Sequence, residues 1–182
     1  MKTKGILFIA AILLGSHLAA QTAEPADKVM DKAFSQASSE NKSVLVIFHA
    51  SWCKYCKMLE AAINDPSIKD IFYKHYVIAE LTINESADKK NLENQGAIDL
   101  FNKYGGQGQG IPYFLFFDSK RKFIADSKIM YADAKPGAAA SNVGFPTTEE
   151  EINAFMEKLK ASSKFSAKEI EAIKARFTRN KN

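Results

Sequence analysis

Cys53 and Cys56 are the only two cysteines among 182 residues, and only Lys54 and Tyr55 separate them. A dithiol at this spacing can exchange two electrons with a disulfide, passing through a mixed disulfide. An apolar β-branched run, Val44 to Phe48, precedes the pair, and Met58, Leu59, Ala62 and Ile63 follow it at helical spacing. Strand, Cys-x-x-Cys and helix therefore follow one another. Positions i and i+3 of a helix share a face and are close enough to form a disulfide. At the first helical turn, free N–H groups and the positive end of the helix dipole favour a thiolate, and Lys54 adds a positive charge. These effects make Cys53 the attacking thiol and Cys56, one turn further on, the buried resolving thiol. Two other uses of the pair compete with this one. A structural bridge closing so short a loop would restrict the unfolded chain little. A closed zinc site needs four ligands, and His49, four residues before Cys53, has no recognisable ligand spacing.

A resolving thiol must lose its proton before it attacks, so a nearby carboxylate is useful. Glu60 lies one turn beyond Cys56. Glu80 lies in a second strand-like run among Val77, Ile78 and Leu81, where burial would raise its pKa. Trp52 and Tyr55 offer aromatic surface beside the cysteines. His49 reads as a satisfied strand residue and His75 as a surface one.

The first twenty residues carry Lys2 and Lys4, an apolar run from Ile6 to Leu14, and Leu18-Ala19-Ala20 before Gln21. This pattern is that of a secretory signal peptide cut after Ala20, and the run is shorter than the ~20 residues of a spanning helix. Residues 21–182 would remain, with 23 basic against 21 acidic side chains. So balanced a charge argues against nucleic acid as a partner. Export implies an oxidising compartment, in which a lone dithiol becomes oxidised unless a donor keeps it reduced.

Along the chain, Pro25 to Ser39 reads as a helix, Val44 to Phe48 as a central strand, and Ser67 to Lys74 as a resumed helix after Asn64-Asp65-Pro66. Tyr76 to Ile83 is a strand, Asn91 to Tyr104 a helix, and Gly105 to Gly110 a flexible loop. Tyr113 to Phe117 and Lys122 to Ala125 form a hairpin. Ala134 to Phe145, rich in Ala, Gly and Pro, reads as a surface excursion. Thr148 with Glu151 and Ser166 with Glu169 are capping boxes opening two further helices. The order implies one α/β domain with a short helical extension.

Trp52-Cys53-x-x-Cys56-Lys57 after its strand, Tyr104 to Gly110 leading into Ile111-Pro112, and the apolar strand Tyr113 to Phe117 together resemble the thioredoxin superfamily over residues 25–159. Within it, the chain resembles exported members related to the C-terminal domain of the transmembrane disulfide reductase of Gram-negative bacteria. The resemblance implies an α/β thioredoxin fold: a central mixed sheet flanked by helices over residues 21–161, with residues 162–182 as a C-terminal helical extension. It implies a cis Ile111–Pro112 bond beside the disulfide, leaving the Ile111 backbone to pair with substrate. It also places Glu60 at the family's acidic position and Glu80 under the active site. Two departures stand out: Ile47 occupies the position of the usual buried Asp, and Lys54-Tyr55 replaces Gly-Pro.

The expected function is that of a periplasmic, monomeric thiol–disulfide oxidoreductase needing no cofactor and no metal. It would reduce disulfides in exported proteins and be re-reduced by a membrane-bound electron donor. Disulfide oxidation or isomerisation is the alternative direction, and a non-catalytic binding module on the same scaffold is the alternative of another class.

Overall fold

A computed structural model describes residues 22–179. The expected signal peptide, residues 1–20, lies outside the described residues. Among the described residues six α-helices and six strands follow in the order α1 (Ala26–Glu40), β1 (Ser43–His49), α2 (Lys54–Ile63), α3 (Lys69–His75), β2 (Tyr76–Thr82), α4 (Ala97–Lys103), β3 (Tyr113–Phe117), β4 (Phe123–Asp126), β5 (Lys128–Ile129), β6 (Ser141–Asn142), α5 (Glu149–Ser162) and α6 (Ala167–Thr178).

Strand β1 is central because its side chains are apolar on both faces. It pairs in parallel with β2, from Ser43 opposite Tyr76 to His49 opposite Thr82. On its other edge it runs antiparallel to β3, with Val44 opposite Phe117 and Phe48 opposite Tyr113. Strand β4 completes a sheet of order β2-β1-β3-β4. Alternation along β1 divides the core into two layers. Leu45 and Ile47 meet α2, α3, α5 and α6 through Leu59, Phe72, Phe155, Leu159, Ile173 and Phe177. Val44, Val46 and Phe48 meet α1 and α4 through Met30, Phe34, Ala37, Ala97 and Phe101. This is the mixed sheet flanked by helices that the thioredoxin resemblance implies.

Helix α4 is shorter than its apolar periodicity predicts. Residues 87–92 form a 3-10 turn with no buried residue. Asn94 is then held against the end of β2: its side chain accepts the Thr82 N–H at 2.6 Å and donates to Glu24 O at 2.7 Å. Gly96 follows at φ 82°, and only from Ala97 does the helix run.

Both capping boxes form, at Thr148/Glu151 and at Ser166/Glu169. Helix α6 is part of the main core, since Ile170, Ile173 and Phe177 are all buried in it. The link from α5 to α6, with Glu169 of α6, covers His75, which sequence reasoning places on the surface. His75 is buried, stacks on Phe165 with ring centroids 3.9 Å apart, and bonds Ser163 through Nδ1 at 3.0 Å. The covering residues lie 88 or more positions downstream, too far along the chain for local pattern to reveal.

Two carboxylates tie α6 to the body. Asp65 is held down at about 2 by hydrogen bonds from the Ser67 side chain and N–H, and by Arg176 of α6. Glu169 of α6 is likewise held at about 2 by Lys74, by the Ser166 N–H and hydroxyl, and by His75. Both folded-state values lie below the ordinary 3.8 and 4.5. Their stabilisation is therefore complete above the unfolded values and is lost as pH falls from about 4.5 to about 2. Urea unfolding curves across this window should show a falling midpoint, and an Asp65→Asn, Glu169→Gln double variant should show a flatter pH dependence there.

Candidate active site

The chain leaves β1 at His49, crosses Ala50-Ser51-Trp52 and enters α2 at Lys54, which makes Cys53 the N-cap. Its backbone is extended, and its sulfur accepts the Cys56 N–H at 3.1 Å in the place a capping oxygen would take. The Cys53 N–H donates to Ala50 O at 3.0 Å, which tightens the turn. Cys53 and Cys56 are joined as a disulfide with Cα atoms 5.3 Å apart. Both residues are buried, at 3% and 5% exposure.

Facing the disulfide is the Ile111–Pro112 peptide, which is cis. Cys53 Sγ lies 3.6 Å from Ile111 O, and Ile111 packs on Ala50 and both cysteines. Among the described residues nothing accepts the Ile111 N–H. Trp52 and Tyr55 are both exposed and flank the disulfide. The Trp52 indole N–H donates to Asn84 O at 2.9 Å, so the ring is tethered as well as presented.

Behind Cys56 is a cavity of about 280 Å³ lined by Ile47, His49, Cys56, Lys57, Glu60 and Glu80 among others. Glu60 and Glu80 thus line the same cavity as Cys56. Glu80, however, is not buried as its apolar neighbours suggested. Strand β2 is a sheet edge, and alternation sends Val77, Ala79 and Leu81 into the core while Glu80 stays exposed. In the register of the parallel pair, Glu80 is opposite Ile47, the residue standing at the usual acidic position. His49 is a satisfied strand residue, as expected, with Nε2 3.2 Å from Thr82 Oγ1.

Two residues that sequence reasoning passed over also shape the site. The first is Glu85, a carboxylate at 4% exposure in the segment after β2. It accepts both the Ser51 backbone N–H and, at 2.8 Å, the Ser51 hydroxyl. Glu93 in turn accepts the Glu85 N–H at 2.8 Å. The chain entering the Cys-x-x-Cys turn is therefore clamped by a buried carboxylate. The available signal was topological: if β1 and β2 are parallel neighbours, their carboxyl ends meet, and Ser51 and Glu85 each lie just beyond one of them. The second is Asn142 of β6, whose side chain bonds the carbonyls on either side of Ile111. The loop Gly105 to Gly110 is correspondingly less free than its glycines suggest. Gly106 donates to Phe101 O, Gln109 donates to Gly106 O, and Gly110 O accepts from Asn142. Among the described residues no cluster of three His, Cys, Asp or Glu side chains is placed to hold a metal ion.

A family described as thioredoxin-like matches residues 26–119, just over half of the chain. The chain belongs to the thioredoxin-like family. It is also 28% identical over 92 residues to the thiol:disulfide interchange protein DsbD of Photorhabdus laumondii. That match takes 50% of this chain but 14% of the relative, so the chain spans about a seventh of that protein's length. Among solved structures, a disulphide isomerase from Xylella fastidiosa Temecula1 is 21% identical with a TM-score of 0.44, covering 64% of this chain and 80% of that one. A DsbH oxidoreductase is 17% identical with a TM-score of 0.46, covering 86% and 96%. The thioredoxin NaTrxh of Nicotiana alata is 17% identical at 0.41, covering 78% and 98%. This family member carries its Cys-x-x-Cys disulfide at the start of its second helix.

The clamp on the active-site turn has a measurable consequence. Glu85→Ala would leave the half-buried Ser51 N–H and hydroxyl without their acceptor, at a cost of about 1–3 kcal/mol. Equilibrium urea denaturation of the oxidised protein should register that loss, and Glu85→Gln, which keeps one acceptor oxygen, should recover part of it.

Proposed function

We propose that the protein is an exported reductase of disulfides in periplasmic proteins, acting as a monomer and re-reduced by a membrane-bound dithiol donor. The observation that carries the reading is the placing of Cys53: it caps α2, and its sulfur faces the Ile111 backbone. In the reduced protein, the Cys53 thiolate attacks one sulfur of a substrate disulfide, and the other substrate sulfur leaves as a thiolate. The Ile111 N–H, without an internal partner among the described residues, hydrogen-bonds the bound chain, with Trp52 and Tyr55 on either side of it. Cys56 then gives up its proton, attacks Cys53 Sγ and expels the second substrate thiol. Substrate gains two electrons and two protons, and the protein is left with the Cys53–Cys56 disulfide. The carboxylate of Glu60 or Glu80, in the cavity that also reaches Cys56, takes the proton.

The charges around the pair pull in opposite directions, and the resemblance to the exported reductase subgroup decides for a reductant. Lys54 and the start of α2 favour the Cys53 thiolate, which pushes toward an oxidant. Glu60 and Glu80 lie on the Cys56 side and oppose negative charge there, which favours a reductant. Localisation in the periplasm rests on the signal-peptide pattern of residues 1–20 and on the likeness to DsbD. Within the described residues no helix is long and apolar enough to cross a membrane.

Cys56→Ser should accumulate exported substrates as mixed disulfides on Cys53, visible as higher-mass bands on a non-reducing gel that dithiothreitol dissolves. Cys53→Ser should accumulate none. The reduction potential of the pair, measured by equilibration with dithiothreitol and glutathione, should fall near the thioredoxin value of about −270 mV. A value near the about −120 mV of the strong periplasmic oxidant would reverse the assigned direction.

A further inference from the structure

Beside the disulfide lies a groove of about 450 Å³ between Tyr55, the loop Gln109 to Pro112, and the segment Ser141 to Phe145. That last segment belongs to the excursion between β4 and α5, which brings the short β5–β6 ladder over the site. Asn142 holds it there with both ends of its amide. Its Nδ2 donates to Gly110 O at 2.8 Å and to Pro112 O at 2.9 Å. Its Oδ1 accepts from the Ser127 hydroxyl at 2.6 Å and from the Gly144 N–H at 3.1 Å. Its backbone N–H donates to the Gln109 side chain at 2.9 Å. Ser127 is fully buried and also accepts the Phe114 N–H at 3.2 Å, so the chain of bonds starts in β3. Gly144, at φ 62°, packs so closely that a Cβ would lie 3.3 Å from Pro112 O.

From this geometry we propose that the excursion is the second wall of the substrate groove and that Asn142 is a positioning residue for protein disulfides. The proposal rests on the reductase reading above and names the substrate class of the same site. Asn142 fixes the two carbonyls flanking Ile111, and so sets the direction in which the Ile111 N–H meets a bound chain. The groove continues from that N–H, so its occupant is an extended polypeptide segment on one side of the substrate cysteine. Its chemistry is uncharged. No Lys or Arg lines it among the described residues, and the one carboxylate there, Glu151, is already engaged by the Tyr131 hydroxyl and by the Thr147 and Thr148 N–H groups. A small disulfide has no segment long enough to reach the wall and does not need it.

The test compares a protein disulfide with a small one on the full mature chain. Asn142→Ala removes both functions of the amide. Asn142→Asp keeps the acceptor for Ser127 and Gly144 but cannot donate to Gly110 and Pro112. For insulin reduction both variants should raise KM by about tenfold with kcat little changed, the pattern of lost uniform binding. Turnover of glutathione disulfide should fall by a clearly smaller factor, since it uses the Ile111 N–H but not the wall. Ser141→Trp is a second variant, at an exposed position on the groove that uses only its backbone in the β5–β6 ladder. It should produce the same selective loss even if the Asn142 variants fold poorly. Equal losses on both substrates, or no loss on either, would overturn the wall. A wild-type protein that turns over glutathione disulfide but not insulin would also overturn it, leaving the dithiol chemistry standing. A wild-type protein inert toward both would sink the reductase reading and the wall with it.

Discussion

Everything at the site hangs from a single strand that is buried on both faces and paired on both edges. Strand β1 has β2 parallel on one side and β3 antiparallel on the other, with a layer of apolar packing above and below. Such a strand has no freedom to shift, because a slip of one residue would exchange its two faces. Its carboxyl end delivers Ala50 to Cys53, and β3, starting directly after Pro112, delivers Ile111. The 3.6 Å approach of Cys53 Sγ to Ile111 O is therefore a consequence of the sheet, since the two segments meet where the antiparallel register ends.

Around that meeting point, polar groups do two different jobs. Glu85 and Asn142 satisfy backbone groups and hold geometry: one clamps Ser51 ahead of the cysteines, the other clamps Gly110 and Pro112 around Ile111. Glu60 and Glu80 line the cavity behind Cys56, and we assign the proton to them. The separation makes physical sense. A buried carboxylate that accepts two protein hydrogen bonds is costly to move, which suits a clamp. A carboxylate open to water can exchange its proton readily, which suits a base. Ile47 stands where the family's buried acid is expected, and Glu80 is the carboxylate opposite it across the parallel pair.

The segments outside the sheet are also tied to it by side chains of high sequence separation. Helix α6 adds Phe177 to the core and is held by Arg176 on Asp65 and by Glu169 on Lys74 and His75. The excursion is held by Ser127 and Asn142. Neither attachment leaves a local trace in the sequence, because each is a hydrogen bond or ion pair between residues whose neighbours look like ordinary surface.

Local chemistry and periodicity were enough to locate the redox pair, the strand before it, the helix after it and both capping boxes. Those signals depend on neighbours within a turn or two. They also placed Glu60 correctly relative to Cys56, since helical spacing is a local property. They misjudged what depends on which element lies next to which. Glu80 sits among apolar residues yet is exposed, because only the sheet order makes β2 an edge. His75 looks like surface yet is buried, because the link from α5 to α6 folds over it. Helix α4 starts late because Asn94 is bonded to β2. The sequence by itself determined that this protein carries one exchangeable dithiol at a helix start on an α/β scaffold. Only the tertiary structure decided that Glu80 lines one cavity with Cys56 and which residues hold the surroundings of the pair, because those relations come from the packing of segments far apart in the chain.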